Sequence, residues 1–339
     1  MRTLRAWVKK KLHRKKRTHR HLPVPSLPSP RRPLTPVSFT TPAFLLFHLP
    51  YEIRTMIFDL AFSNRILHMD IVRQERSAWK WRGAVCHRNG PWLQQHVRYV
   101  WLGPWVDDCI ERVYGYGRQE TFPEEYNIGI MGFLLSCKQA YAEGIHVLYN
   151  TNTFCVESET LLLHLPQLVP SNRLACITSL EIAVKAHAVK QGDGTIDFNM
   201  DHLKPLLDNI ATHCRQLRSF CLCFRYAGEG HQILDELPLV DTFYQSMHLR
   251  KMTVELPRRY DLPAVTHWEE HPEGEPGEEW RHRMLWRCFD GEELTMQSRF
   301  MECFPCQPRK LSGFEGEDGG GESKGYWFVR TNDGLVVLP

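Results

Sequence analysis

One spacing of apolar positions recurs three times in the second half of the chain. Apolar residues stand at i, i+3, i+5 and i+7 in Ile177, Leu180, Ile182, Val184, again in Leu217, Phe220, Leu222, Phe224, and again in Leu249, Met252, Val254, Leu256. The last three positions of each set alternate with period two, the signature of a strand. The sets lie 40 and 32 residues apart. Between them, Leu203, Leu206, Leu207, Ile210, Ala211 and Cys214 keep helical spacing, as do Leu237, Val240, Phe243, Tyr244 and Met247. Helix–strand units of this length predict parallel strands joined by crossovers.

A strand covered on both faces reads as a continuous apolar run. These strands alternate instead, so one sheet face is expected under helices and the other open, as in a short leucine-rich-repeat-like array. The open face would present Glu181, Ala183, Cys221, Cys223, Thr253 and Glu255. The alternative is an ordinary α/β domain in which the spacing is chance; α/β, or α+β, is the class in either case.

Upstream, Ile53, Met56, Ile57, Leu60 and Ala61 recur at i, i+3, i+4, i+7 and i+8 and predict a buried amphipathic helix within 43–63. A second helix is expected over about 130–149, where Ile130, Phe133, Leu134, Cys137, Ala140, Tyr141, Ile145 and Leu148 form a stripe. The 64–128 segment between them reads as an insertion, with a strand at Ile66 to Val72 and a Trp-rich stretch broken by Gly and Pro. Helix–strand units then fill 150–257. Residues 258–325 are acidic and Gly/Pro-rich, expected to be partly disordered around a helix near Trp280 to Phe289. In 326–339, Asn332-Asp333-Gly334 between apolar runs predicts a hairpin.

Charge divides the chain further. Residues 1–42 hold 12 of the 42 Lys/Arg, no acid, and seven prolines, leaving 30 basic against 39 acidic residues beyond. A disordered tail of +12 thus precedes a body of −9. Lys9, Lys10, Lys11, Arg14, Lys15, Lys16 and Arg17 read as a nuclear-localisation or polyanion-binding cluster, with a mitochondrial presequence or a merely solvated tail as rivals. Nucleic acid is a partner expected through this tail only. With no secretory h-region, no membrane-spanning run and 11 cysteines in no regular framework, the protein is expected reduced, in nucleus or cytoplasm, and off the membrane.

Motifs of catalysis fail on their contexts. His267-Trp268-Glu269-Glu270-His271 matches an inverted zinc-peptidase pattern and raises a zinc hydrolase through His267 and His271 as an alternative. Yet His271 precedes Pro272, which biases it away from the helix the chemistry needs. Cys303-Phe304-Pro305-Cys306 lacks a second ligand pair, and Cys221 and Cys223 would bind metal only with partners from elsewhere. Gly316 to Gly325 has acids and no Gly-Lys-Ser/Thr ending, so it is a linker rather than a phosphate loop. No catalytic residue, cofactor or metal site is expected; protein partners are.

Two segments carry a family resemblance. Leu49-Pro50-Tyr51-Glu52-Ile53-Arg54-Thr55-Met56-Ile57-Phe58 resembles the opening helix of a large class of uncharacterised fungal F-box-like proteins. Leu134-Leu135-Ser136-Cys137-Lys138-Gln139-Ala140-Tyr141-Ala142-Glu143, followed by Leu148-Tyr149-Asn150-Thr151-Asn152-Thr153-Phe154, resembles a second hallmark of that class. The resemblance runs from about 44 to 257. It implies a non-enzymatic substrate receptor whose Leu49, Pro50, Ile53 and Ile57 would meet the Skp1 adaptor of a cullin–RING ubiquitin ligase. A compact F-box has no insertion like 64–128 between its helices.

Overall fold

The computed structural model describes residues 45–73, 79–86, 88, 103, 104, 107, 109, 129, 131–190, 196–226, 236–256, 284–289, 295–297 and 324–330. The basic tail, the His267–His271 segment and the Cys303/Cys306 pair lie outside these residues, as does the Asn332-Asp333-Gly334 turn. A short 3-10 turn, Leu45–His48, leads into α1 (Tyr51–Phe62), then β1 (Ile66–Arg73) and β2 (Trp79–Val85). Beyond the insertion come α2 (Met131–Leu134), α3 (Lys138–Asn150), β3 (Thr153–Val156) and three short helices, α4 (Glu159–Leu163), α5 (Leu165–Leu168) and α6 (Ser171–Leu174). Then follow β4 (Ser179–Lys185), the β5 (His187–Lys190) and β6 (Ile196–Asn199) ribbon, α7 (Leu203–His213), β7 (Ser219–Tyr226), α8 (Leu237–Ser246) and β8 (Lys251–Leu256). The last elements are β9 (Met284–Cys288), β10 (Thr295–Gln297) and β11 (Gly325–Arg330).

Among the described residues, nine strands form one open sheet in the order β10-β9-β11-β8-β7-β4-β3-β1-β2. The fold is mixed α/β. Strands β3, β4, β7 and β8 are parallel and adjacent in chain order, each reached through helix. The three spaced segments are therefore strands, and the two helical stretches between them are α7 and α8. Their register puts Leu180, Phe220 and Met252 in one row and Ile182, Leu222 and Val254 in the next. These rows join Leu203, Leu206, Leu207 and Ile210 of α7 and Val240 and Phe243 of α8 in the main core.

The expected helix over 130–149 is two helices. Cys137 breaks it, because its extended backbone caps α3 while its sulfur accepts the Ala140 N–H at 3.4 Å. The region around Trp280 to Phe289 differs more. Residues 284–288 are a strand, paired antiparallel with β11, and β11 in turn runs parallel to β8. An apolar run this short fits either element, and here a free sheet edge decided for the strand. Buried Asp241 of α8 fastens this end, accepting from Tyr326 Oη at 2.8 Å and from Arg287 at 2.8 Å.

The N-terminal end is fastened by Asn152, which is 1% exposed. Its Nδ2 donates to Phe62 O at 2.9 Å and Leu148 O at 3.0 Å, and its Oδ1 accepts the Arg65 N–H at 2.9 Å. One amide thus ends α1, ends α3 and aims the chain into β1, which pairs parallel with β3 from Ile66 against Thr153.

The face opposite the helices is not open. Ala183, Cys221, Cys223, Thr253 and Glu255 are all buried, and only Glu181 is partly exposed. Residues of the insertion lie against this face. Arg88 reaches Glu181, and Arg225 of β7 donates to the carbonyls of Pro104 at 2.9 Å and Asp107 at 2.6 Å. The alternation of the strands was real, but the second face meets a polar cover rather than solvent.

Candidate protein-docking face

Helix α1 is turned the opposite way from the sequence expectation. Ile53, Met56, Ile57, Leu60 and Ala61 are exposed, Leu60 at 85% and Met56 at 59%. The buried residues are Phe58 and Phe62, which stand one turn apart on the other side. Two contacts fix this rotation. Phe58 packs against Phe133 with ring centroids 5.5 Å apart. Gly144 of α3 leaves room beneath, since a Cβ there would come within 2.5 Å of Leu134 Cδ2 and 3.4 Å of Phe62 Cζ.

The second contact joins the two hallmark segments. Arg54 binds Glu143 through a fork, Nε to Oε2 at 2.7 Å and Nη2 to Oε1 at 2.8 Å, across the whole insertion. The pairing holds the Glu143 carboxyl below its ordinary range. Arg54 also donates to Leu49 O at 2.5 Å, drawing the approach to α1 against the helix. Pro50 caps α1 with φ −51°, and Glu52 sits in the first turn, where a negative charge suits the helix dipole.

The result is an apolar row without a core to fill. Leu49, Ile53 and Ile57 point to the surface with Tyr51, Met56 and Leu60, and Pro50 is exposed beside them. Leu45 and Leu135 are exposed as well. Scattered exposed apolar residues are ordinary, but several on one short helix are what a docking surface presents. Such a face can bind by burying area; it carries no acid, base or nucleophile in a constellation.

The buried polar face is chemically richer. His68 and Asp70 of β1 point into it while Leu67, Met69 and Ile71 face the core. Asp70 Oδ1 accepts the N–H groups of Glu157 at 3.0 Å and Ser158 at 2.8 Å, and burial pushes its carboxyl up to about 6. Arg225 lies 2.8 Å from Glu157, whose carboxyl burial pushes up to about 7. Asp107 accepts from Arg88 Nε at 3.0 Å, from Cys86 Sγ at 2.9 Å and from the Cys109 N–H at 3.0 Å. Although burial opposes it, the His68 and Arg88 partners hold Asp107 well below the carboxylate range.

Among the described residues, two groups of side chains could hold a metal. The donor atoms of His68, Cys86, Asp107 and Cys109 lie within 4.8 Å of one another, as do those of Glu159, His187 and His202. No ligand of either set was expected from sequence. The residues sit at 68, 86, 107 and 109, or 159, 187 and 202, with no short repeat of spacing to betray them. Cys221 and Cys223, weighed as ligands, are in neither group. Among the described residues no helix is long and apolar enough to cross a membrane.

The two hallmark segments and the insertion fall within one recognised unit. Residues 40–197 carry a domain of unknown function (DUF7730). The DUF7730 match runs from before α1 to residue 197, inside β6, so it takes in the Arg54–Glu143 fork, the Asn152 junction and His68, Asp70, Arg88 and Asp107 of the buried polar cluster. It stops before α7, and the helix–strand units of β7 and β8 lie beyond it. No curated protein and no solved structure matches the chain.

Proposed function

We propose that the chain is a non-enzymatic interaction protein whose α1 face docks a protein partner, and that the partner is a Skp1-type adaptor of a cullin–RING ubiquitin ligase. The observation that carries this reading is the rotation of α1. Arg54, Phe58 and Phe62 hold the helix from behind, while Leu49, Ile53 and Ile57, the positions the F-box resemblance assigns to the adaptor, face outward. Exposed apolar side chains on a rigidly seated helix gain by burial, about 25 cal/mol per Å² removed from water. The rest of the sheet then serves as the frame behind that helix. Its buried second face is not the substrate-selecting surface, which has to lie elsewhere.

The test is capture of purified Skp1 by the intact chain. Binding is expected at micromolar concentration or tighter, and lost in the Leu49→Asp, Ile53→Asp double variant. Because both side chains are exposed, the double variant is expected to unfold at the same temperature as the parent. No capture by the folded parent chain sinks the adaptor reading.

A second reading rests on charge alone. The +12 tail, with Lys9, Lys10, Lys11, Arg14, Lys15, Lys16 and Arg17 at its centre, suits a nuclear address or a non-specific polyanion contact. Binding to single-stranded DNA would then weaken steeply with added salt and vanish on removal of residues 1–42. Salt-independent binding excludes it.

A further inference from the structure

We propose that His68, Cys86, Asp107 and Cys109 bind one zinc ion, which clamps the insertion onto the first strand of the sheet. All four residues are buried, and each offers one donor atom to a common point. In a tetrahedral zinc site, bonds of about 2.0–2.3 Å place neighbouring ligand atoms roughly 3.3–3.8 Å apart. Here Asp107 Oδ2 lies 3.3 Å from His68 Nε2, within that range; its 2.9 Å to Cys86 Sγ is shorter, and no pair exceeds 4.8 Å, so the ligands need to shift by about 1 Å or less to close on an ion.

His68 is the second, independent sign. It is 5% exposed, and neither ring nitrogen has a hydrogen-bond partner of sound geometry. A buried imidazole that makes no aligned hydrogen bond, with the Asp107 carboxylate as its ion-pair neighbour at 3.3 Å, is costly. Yet Asp107, Cys109, Cys155 and Cys86 all crowd the ring. Two ring nitrogens cannot serve four such neighbours by donating protons, whereas one cation among them satisfies nitrogen, carboxylate and thiolates at once. The β1–β3 register sets Cys155 opposite His68, so the sheet itself closes the site on that side.

Binding forms two Zn–S bonds, one Zn–N and one Zn–O bond, and releases to solvent one proton from each of Cys86 and Cys109 and the second ring proton of the His68 imidazolium that faces Asp107. The ion's +2 replaces those three protons, so the net charge of the buried cluster falls by one. Arg88 completes it from outside, with Nε 3.3 Å from Cys86 Sγ and 3.0 Å from Asp107 Oδ2. Such outer donors orient ligands and steady thiolates. Two thiolates, an imidazole and one carboxylate select Zn²⁺ over Mg²⁺ or Ca²⁺, which prefer all-oxygen shells. Four protein ligands leave no open position, so the ion is structural. Glu159, His187 and His202 supply a thinner set, with His187 exposed and its ring stacked on His202.

The experiment uses the full chain, purified under reducing conditions through a histidine-free tag. One zinc per chain is expected by elemental mass spectrometry. Exchange for Co²⁺ is expected to give the visible absorption of tetrahedral thiolate-bound cobalt. Cys109→Ser and His68→Gln should each weaken metal binding at least about 100-fold. Cys214→Ser, His187→Ala and the Cys303→Ser, Cys306→Ser pair should leave it unchanged. If the ligand variants fail to fold, the parent chain still decides: Cys86 and Cys109 should resist alkylation until a chelator is added. A parent chain that holds no zinc and gives no thiolate–cobalt spectrum overturns the proposal. So does a Cys86–Cys109 disulfide in the reduced preparation, or zinc that leaves only with Cys303, Cys306 or His187.

Discussion

Helix α1 and the covered sheet face invert the usual arrangement of a globular protein. The helix shows Ile53, Met56, Ile57 and Leu60 to solvent, while the sheet interior hides Asp70, Arg88, Asp107 and Glu255. Apolar surface left outside tends to meet a partner, and charge taken inside tends to be paired or ligated. The two regions therefore divide the work. The exposed face costs the folded chain little. The buried face is held by contacts that do not tolerate the loss of one member.

That contrast can be broken most forcefully at Arg88. Arg88→Met leaves Asp107 and Glu181 without their guanidinium, and a loss of about 3–5 kcal/mol is expected in urea unfolding. Next comes α1 itself, tested on both sides. Phe62→Ala opens a cavity beside Gly144 and should cost about 3–4 kcal/mol, whereas Leu60→Asp, two residues away, should stay within about 0.5 kcal/mol. Equal losses in the two variants would mean that the helix is seated the other way round. Asn152→Ala removes three hydrogen bonds at once, two of them buried, and is expected to cost about 2–3 kcal/mol.

The smallest effect is a pH effect. Burial alone would raise the Glu159 carboxyl, but His202, His187 and the Lys185 N–H outweigh it and hold it at about 2. A carboxylate depressed in the folded state stabilises above its unfolded pKa, near 4.5, and loses that contribution as pH falls toward 2. The difference in unfolding free energy between the parent and Glu159→Gln should thus shrink by roughly 1–2 kcal/mol between pH 5 and pH 2. A difference that does not change with pH would remove His187 and His202 as its partners.

The same contrast separates what the sequence reveals from what it hides. The strands at Leu180, Phe220 and Met252 and the helices at Leu203 and Val240 announce themselves, because local alternation and helical period survive whatever the chain packs against. The existence of α1 was equally legible. Its rotation was not, since Ile53, Met56, Ile57, Phe58, Leu60, Ala61 and Phe62 surround most of its circumference, and only contacts some 75 residues away choose between faces. The second face of the sheet failed for a related reason. Glu, Cys and Thr alternating with Leu and Val resemble a solvated face unless one knows that Arg88 and Asp107 return to cover it. The His68, Cys86, Asp107 and Cys109 group is invisible by spacing for the same cause: it exists only after the insertion has folded back.

The seat of α1 has a consequence for synthesis. The helix leaves the ribosome about 70 residues ahead of Phe133, Leu134 and Gly144, the floor on which Phe58 and Phe62 rest. At about 5–20 residues per second, translation keeps both faces of the nascent helix bare for roughly 4–14 s. During that interval both its Ile53/Ile57 side and its Phe58/Phe62 side are unsupported, until α3 arrives and Arg54 finds Glu143.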